Sequence, residues 1–313
     1  MTGYLVRRIL LCIPILLAVL TLVFLLVRVA PGDPAVAALG DYASKEAVEA
    51  LREKMGLNAP LYVQYFQFLS GLLHGDLGKS LITSRPVAAQ VASAFPYTLE
   101  LTASGILLGS FLGIPLGIFT ALHRNAMFDY LGRLFSLVGL SVPAFYLGIL
   151  LILLFAIKLE LFPVVGGGNL SDLGETLRYL FLPALTLALI MMSYITRMTR
   201  SSVLDILNED YVRTARAKGL RERLVVYKHV LKNALLPILS VIGMFAIVLI
   251  GSSVMTEVVF SRPGLGKMLV GAMKQRDYIM LQSIMVIFSS LVVLINLLTD
   301  LAYGFIDPRI RYE

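Results

Sequence analysis

The sequence predicts an all-α integral membrane protein with six transmembrane helices and both termini cytoplasmic. Three observations carry that prediction. The 313 residues are 58% hydrophobic and 15% charged, with a mean hydropathy of +0.84. That is the composition of a membrane protein. Six uncharged runs stand out: Ile9–Val27, Leu101–Leu122, Leu134–Ile157, Tyr179–Thr196, Ala234–Thr256 and Tyr278–Thr299. Each is about 18 residues or longer, enough to cross roughly 30 Å of hydrocarbon as a helix. None shows barrel-strand alternation, and in lipid a lone segment satisfies its own backbone only as a helix. Finally, the segments that termini-in topology places inside hold 15 Lys/Arg and 7 acids, whereas the outside segments hold 11 of each. The excess of +8 against zero has the sign of the positive-inside rule.

The whole chain, 1–313, reads as one permeation domain, with spans near 9–29, 97–122, 131–157, 179–197, 234–256 and 278–304. Arg7-Arg8 precedes the first span as in a signal peptide, but the apolar stretch is too long and Val27-Arg28-Val29-Ala30-Pro31 is a poor cleavage site, so an uncleaved helix is expected. Cys12, the single cysteine, rules out an intrachain disulfide. Residues 30–96 form an outside cap. It opens on a Pro31-Gly32-Asp33-Pro34 turn and continues in a helix capped by Ser44 and stopped at Gly56, then a second helix over Pro60–Leu69. The outside loop Glu257–Ile279 holds an Arg262-Pro-Gly-Leu-Gly266 turn and a short segment over Lys267–Met273.

The second span carries Gly105, Gly109, Gly113 and Gly117, one stripe that lets another helix approach closely. The stripe suits a moving core or static packing within the subunit equally, and Pro115 in the same span suits a kink. Charged or amide groups in or near the spans are Arg28, Glu100, Asn296 and Asp300. These are candidates for pathway or structural polar contacts.

Between the fourth and fifth spans lies a basic segment, 197–233, centred on Arg213-Thr214-Ala215-Arg216-Ala217-Lys218-Gly219-Leu220. Small residues at Ala215, Ala217 and Gly219 let another surface approach the backbone, and a helix ended by glycine presents a knob with a turn behind it. Val225, Val226, His229, Val230 and Asn233 recur at helical spacing and suit the membrane face or a partner. An interfacial helix held by anionic lipid is the competing reading of the same charges.

This segment resembles the EAA loop of ABC importer permeases, and the chain resembles the dipeptide/oligopeptide permease branch, which includes nickel and glutathione permeases. The resemblance rests on Tyr4-Leu-Val-Arg-Arg-Ile9, Pro31-Gly-Asp-Pro34, Met55-Gly-Leu-Asn-Ala-Pro-Leu-Tyr-Val-Gln-Tyr65, Gly75-Asp-Leu-Gly-Lys-Ser80, Tyr211–Gly219, Glu257–Gly266 and Asp307-Pro-Arg-Ile-Arg311, in that order along nearly the whole chain. It departs from the general EAA pattern at Arg213, where that pattern has Glu, and at Thr214, where it has the first Ala. The resemblance implies a type I importer permease fold in the bacterial inner membrane. It implies a homologous second permease subunit as heterodimer partner, two cytoplasmic ATPases that use ATP and Mg, and a periplasmic or lipid-anchored solute-binding protein. It also implies that residues 213–220 contact the ATPase and that this chain carries half of the pathway for peptides or a similar small polar solute.

Other chemistries find little support. Gly75–Ser80 fails as a phosphate-binding loop, because the position six before Lys79 is Leu73 and not glycine. There is no His-Glu-x-x-His metal motif and no Gly-x-Ser-x-Gly elbow, and the three histidines lie outside the spans. No cofactor, metal or nucleic acid is expected on this chain. An ion-coupled secondary transporter is the competing class, which would favour inverted repeats and a midplane ion site.

Overall fold

The computed structural model describes residues 2–29, 34–39 and 43–306. Most of the expected Pro31–Pro34 turn and the Asp307–Arg311 segment lie outside the described residues. The described residues are mostly helical: α1 (Thr2–Val29), α2 (Pro34–Leu39), α3 (Lys45–Lys54), α4 (Leu61–Leu73), α5 (Val87–Leu122), α6 (Met127–Ser141), α7 (Ala144–Leu151), α8 (Leu173–Leu207), α9 (Asp210–Ala217), α10 (Glu222–Leu224), α11 (Leu231–Val259), α12 (Leu265–Gln275) and α13 (Tyr278–Ile306). Two π-helical stretches, Ile152–Lys158 and Val225–Val230, extend α7 and lead into α11. Among the described residues, five helices are long and apolar enough to cross a membrane, and a sixth crossing arises if α6 and α7 with its π extension count as one.

That pair is bent by 108°, so the run read as a straight third span is broken. The cause is local. Pro143 has no N–H to continue the helix, and it forces Val142 into an extended conformation with ψ 122°. By contrast α5 runs unbroken through Pro115.

The contacts group the chain into two units. The first holds residues 1–9, 99–262 and 294–313. At its centre is α8, where Leu187, Met191 and Ile195 are buried with Leu101 of α5, Val212 and Ala215 of α9, and Ile238 of α11. The glycine stripe faces α8 residue for residue. A methyl group at Gly105, Gly109, Gly113 or Gly117 would lie 2.8, 2.6, 3.0 or 2.5 Å from the Cβ of Leu187, Met191, Ile195 or Thr199. Both rows advance by four, so two i±4 ridges run in register and the backbones touch. Thr196 adds a hydroxyl bond to the Gly113 carbonyl at 3.3 Å. The stripe therefore packs within the subunit.

The second unit holds residues 10–98 and 263–293. Ser44 caps α3 by accepting from the Ala47 amide at 3.2 Å, and Gly56 ends it with φ +67°. α4 lies on α1: the hydroxyls of Thr21 and Tyr65 are 2.6 Å apart, and Phe24 meets Tyr65 edge-on with ring centroids 5.3 Å apart. Asp277 is buried. It caps α13 by accepting from the Met280 amide at 3.1 Å, and it accepts from the Ser80 hydroxyl and the Leu81 amide. The loop at Ser80 and Leu81 is thereby fastened to the start of α13.

Candidate functional site

The segment between α8 and α11 is built as a helix-turn on a buried base. At about 1.5 Å per residue, the 35 residues of α8 reach roughly 50 Å, well past a hydrocarbon core. Asn208 ends α8, and α9 starts two residues later. α9 is two-faced. Val212 and Ala215 are buried in the α8 core, while Arg213, Thr214, Arg216 and Ala217 are exposed.

Gly219 follows with φ +76°. Its amide bonds the Arg216 carbonyl at 2.9 Å, and the Leu220 amide reaches back to Ala215 at 3.4 Å. Nothing lies within 4 Å of where a Cβ at Gly219 would stand. Within this chain the glycine is thus required by backbone handedness and not by crowding. Arg216 and Glu222 close the turn with two bonds, at 3.1 and 2.6 Å. The bond to Glu222 raises the Arg216 guanidinium further above its ordinary value. Asn233 Nδ2 donates to the Tyr211 hydroxyl at 2.7 Å and so ties α9 to α11. Thr214 donates to the Asp210 carbonyl at 2.9 Å, and Arg213 is 3.6 Å from the fully exposed Asp210 carboxylate.

Two expectations change. Ala215 is buried, so its small size serves the chain's own core and not an incoming surface. Val225, Val226 and Val230 are also buried in that core, so they face neither lipid nor partner. The surface left for contact is Arg213, Thr214, Ala217 and Gly219, with Leu220 half-buried.

The polar residues of the spans are placed separately. Glu100 accepts from Arg262, whose side chain has no exposed surface. Asp300 pairs with Arg8 at 2.7 Å, and Asn296 is exposed. A third ion pair was not anticipated. Asp129, fully buried, accepts from Arg200 at 2.6 and 2.9 Å and lies 3.3 Å from Arg133. Its only sequence signal is an acid at the start of an apolar helix.

Comparison with known proteins places the chain in a family. Residues 113–312 match the family described as binding-protein-dependent transport system inner membrane component, and residues 1–102 match that family's N-terminal component. The chain is 42% identical over 313 residues to the glutathione transport system permease protein GsiC of Pectobacterium atrosepticum, covering 100% of both. It is 39% identical over 333 residues to the dipeptide transport system permease protein DppB of Alkalihalophilus pseudofirmus, again covering 100% of both. Among solved structures, the inward-facing MetNI methionine ABC transporter superposes with a TM-score of 0.56 at 19% identity, over 70% of this chain and 96% of that one. A second crystal form of that transporter gives 0.55 at 21%, over 69% and 96%.

Proposed function

The chain belongs to the family of binding-protein-dependent transport system inner membrane components, and from that premise we propose that residues 197–233 are its contact with a cytoplasmic ATPase. The protein is a multi-pass permease subunit of a bacterial inner-membrane ABC importer, with the all-helical type I permease fold. Its relatives are permeases and not ATPases.

The two faces of α9 support the docking role. An interfacial lipid anchor needs an apolar face turned to the membrane. Here that face, Val212 and Ala215, is already covered by the chain's own core. What remains outward is a polar, small-residue elbow suited to a protein surface. In our reading the elbow is cytoplasmic, the termini share its side, and residues 30–96 cap the opposite side toward a solute-binding protein. A homologous second permease completes the pathway as a heterodimer. Two ATPases consume ATP and Mg, and their closure moves the elbow. The substrate we assign is a short peptide or peptide-like solute, the chemistry shared by the dipeptide and glutathione named in the relatives.

Disulfide trapping tests the contact. Ala217→Cys, in a Cys12→Ser background, is expected to cross-link to a cysteine on the ATPase surface in the assembled complex. A complex that assembles normally and gives no cross-link from Ala217 across a panel of ATPase cysteines would overturn the assignment.

A further inference from the structure

α6 and the C-terminal half of α8 leave a groove of about 450 Å³ between them. Leu134, Leu137 and Leu140 of α6 give it an apolar stripe. Arg133, Arg197 and Arg200 also line it. The three guanidiniums differ. Arg200 is committed to Asp129 by two bonds. Arg133 lies at the edge of the same carboxylate, is 46% exposed, and stands over the Tyr130 ring at 4.5 Å. Arg197 is exposed and, among the described residues, has no acid beside it. One buried carboxylate thus serves two of the three guanidiniums, Arg197 adds an unneutralised charge, and a surplus of positive charge lies beside an apolar trough.

Such a surface complements an amphipath with an anionic head. Guanidinium forks match phosphate oxygens, and the leucines match an alkyl chain. The positive-inside balance places this end of α8 at the cytoplasmic leaflet, where anionic lipids are held by nearby Lys and Arg. We propose that the groove binds one anionic glycerophospholipid, its phosphate between Arg133 and Arg197 and an acyl chain along Leu134, Leu137 and Leu140. A free phosphate would leave the apolar stripe unused. A zwitterionic headgroup carries its own cation and gains less from the surplus charge. The site needs only the membrane topology and stands apart from the ATPase contact and the substrate.

Native mass spectrometry of the assembled, delipidated transporter tests it, with phosphatidylglycerol or phosphatidylcholine added back. Wild type is expected to retain a phosphatidylglycerol that an excess of inorganic phosphate does not displace. Arg197→Gln is expected to lower that occupancy about fivefold, and Arg133→Gln with Arg197→Gln by a further similar factor. The single variant leaves the Asp129 bonds intact, and an unchanged thermal midpoint separates lost binding from lost fold. Any of four results would overturn the proposal: unchanged phosphatidylglycerol occupancy in Arg197→Gln, equal retention of phosphatidylcholine, displacement by phosphate, or disulfide capture of Leu137→Cys by another subunit.

Discussion

Arg262 donates to Glu100 across 162 residues of sequence, and its side chain is wholly enclosed. The bond joins the turn after α11 to α5. Removing Arg262 strands the Glu100 carboxylate, which is 23% exposed, at a cost of about 1–3 kcal/mol. Arg262→Met is therefore expected to lower the thermal midpoint and the yield of assembled complex. Arg213→Met removes an arginine whose neighbour Asp210 is fully solvated, and is expected to change stability by less than about 0.5 kcal/mol. Thermal unfolding of the two purified variants checks the contrast. Equal midpoints would mean that the Arg262–Glu100 pair adds nothing.

The glycine stripe predicts a graded response. A methyl group at Gly109 meets Met191 at 2.6 Å, whereas one at Gly251 of α11 meets nothing within 4 Å. Gly109→Ala is expected to destabilise by about 1–3 kcal/mol through overpacking. Gly251→Ala is expected to be neutral or slightly favourable through helix propensity. Gly109→Leu and Gly113→Leu should prevent assembly. Membrane level by blot, with unfolding midpoints, decides; normal assembly of both leucine variants would refute the helix contact.

Coupling is expected to fail at Gly219 without loss of the subunit. Gly219→Asp adds a carboxylate to an open, exposed position and forces a side chain into φ +76°, at a backbone cost of about 1–2 kcal/mol. The spans do not depend on this residue, so membrane level should hold while substrate-stimulated ATP hydrolysis and uptake both fall. Gly219→Ala should show a milder form of the same defect. Reconstituted vesicles containing all subunits provide both readouts. Full coupling in Gly219→Asp would remove the elbow from the ATPase contact.

Topology is checked by reporter fusions. A reporter active only outside the cytoplasm should be active after Ala50 and silent after Asn208, following the basic-residue balance. Activity after Asn208 would reverse the orientation, and with it the assignment of the elbow to the cytoplasmic side.

Helices were legible because composition and caps are local properties. Ser44 and Gly56 announce the ends of α3, and Gly219 announces the turn after α9. What a helix packs against is not local. The stripe Gly105–Gly117 signals close approach, yet its counterpart, Leu187, Met191, Ile195 and Thr199, is ordinary sequence for a span. The break after α6 was hidden for a similar reason. Pro143 coincides with a 108° bend, but Pro14, Pro183 and Pro237 sit within continuous helices. Whether a proline breaks a span depends on which neighbours re-satisfy the freed backbone groups. The elbow was legible as a motif, whereas the burial of Ala215 and of the three valines emerges only when α8 and α11 close over them.

The shared core of α9 and α8 makes the subunit stiff where a flexible joint would waste motion. Val212 and Ala215 belong to the same buried cluster as Met191 and Ile195, which in turn abut Gly109 and Gly113. Close-packed interiors barely compress. If the ATPase docks on Ala217 and Gly219, as proposed, a push there meets a continuous buried core leading to α8 and, through the glycine seam, α5. With an ATPase docked on the elbow, the subunit would work as a bell crank: the short arm is α9, and the long arms are α8 and α5, locked along a seam where glycines of one helix meet the side chains of the other.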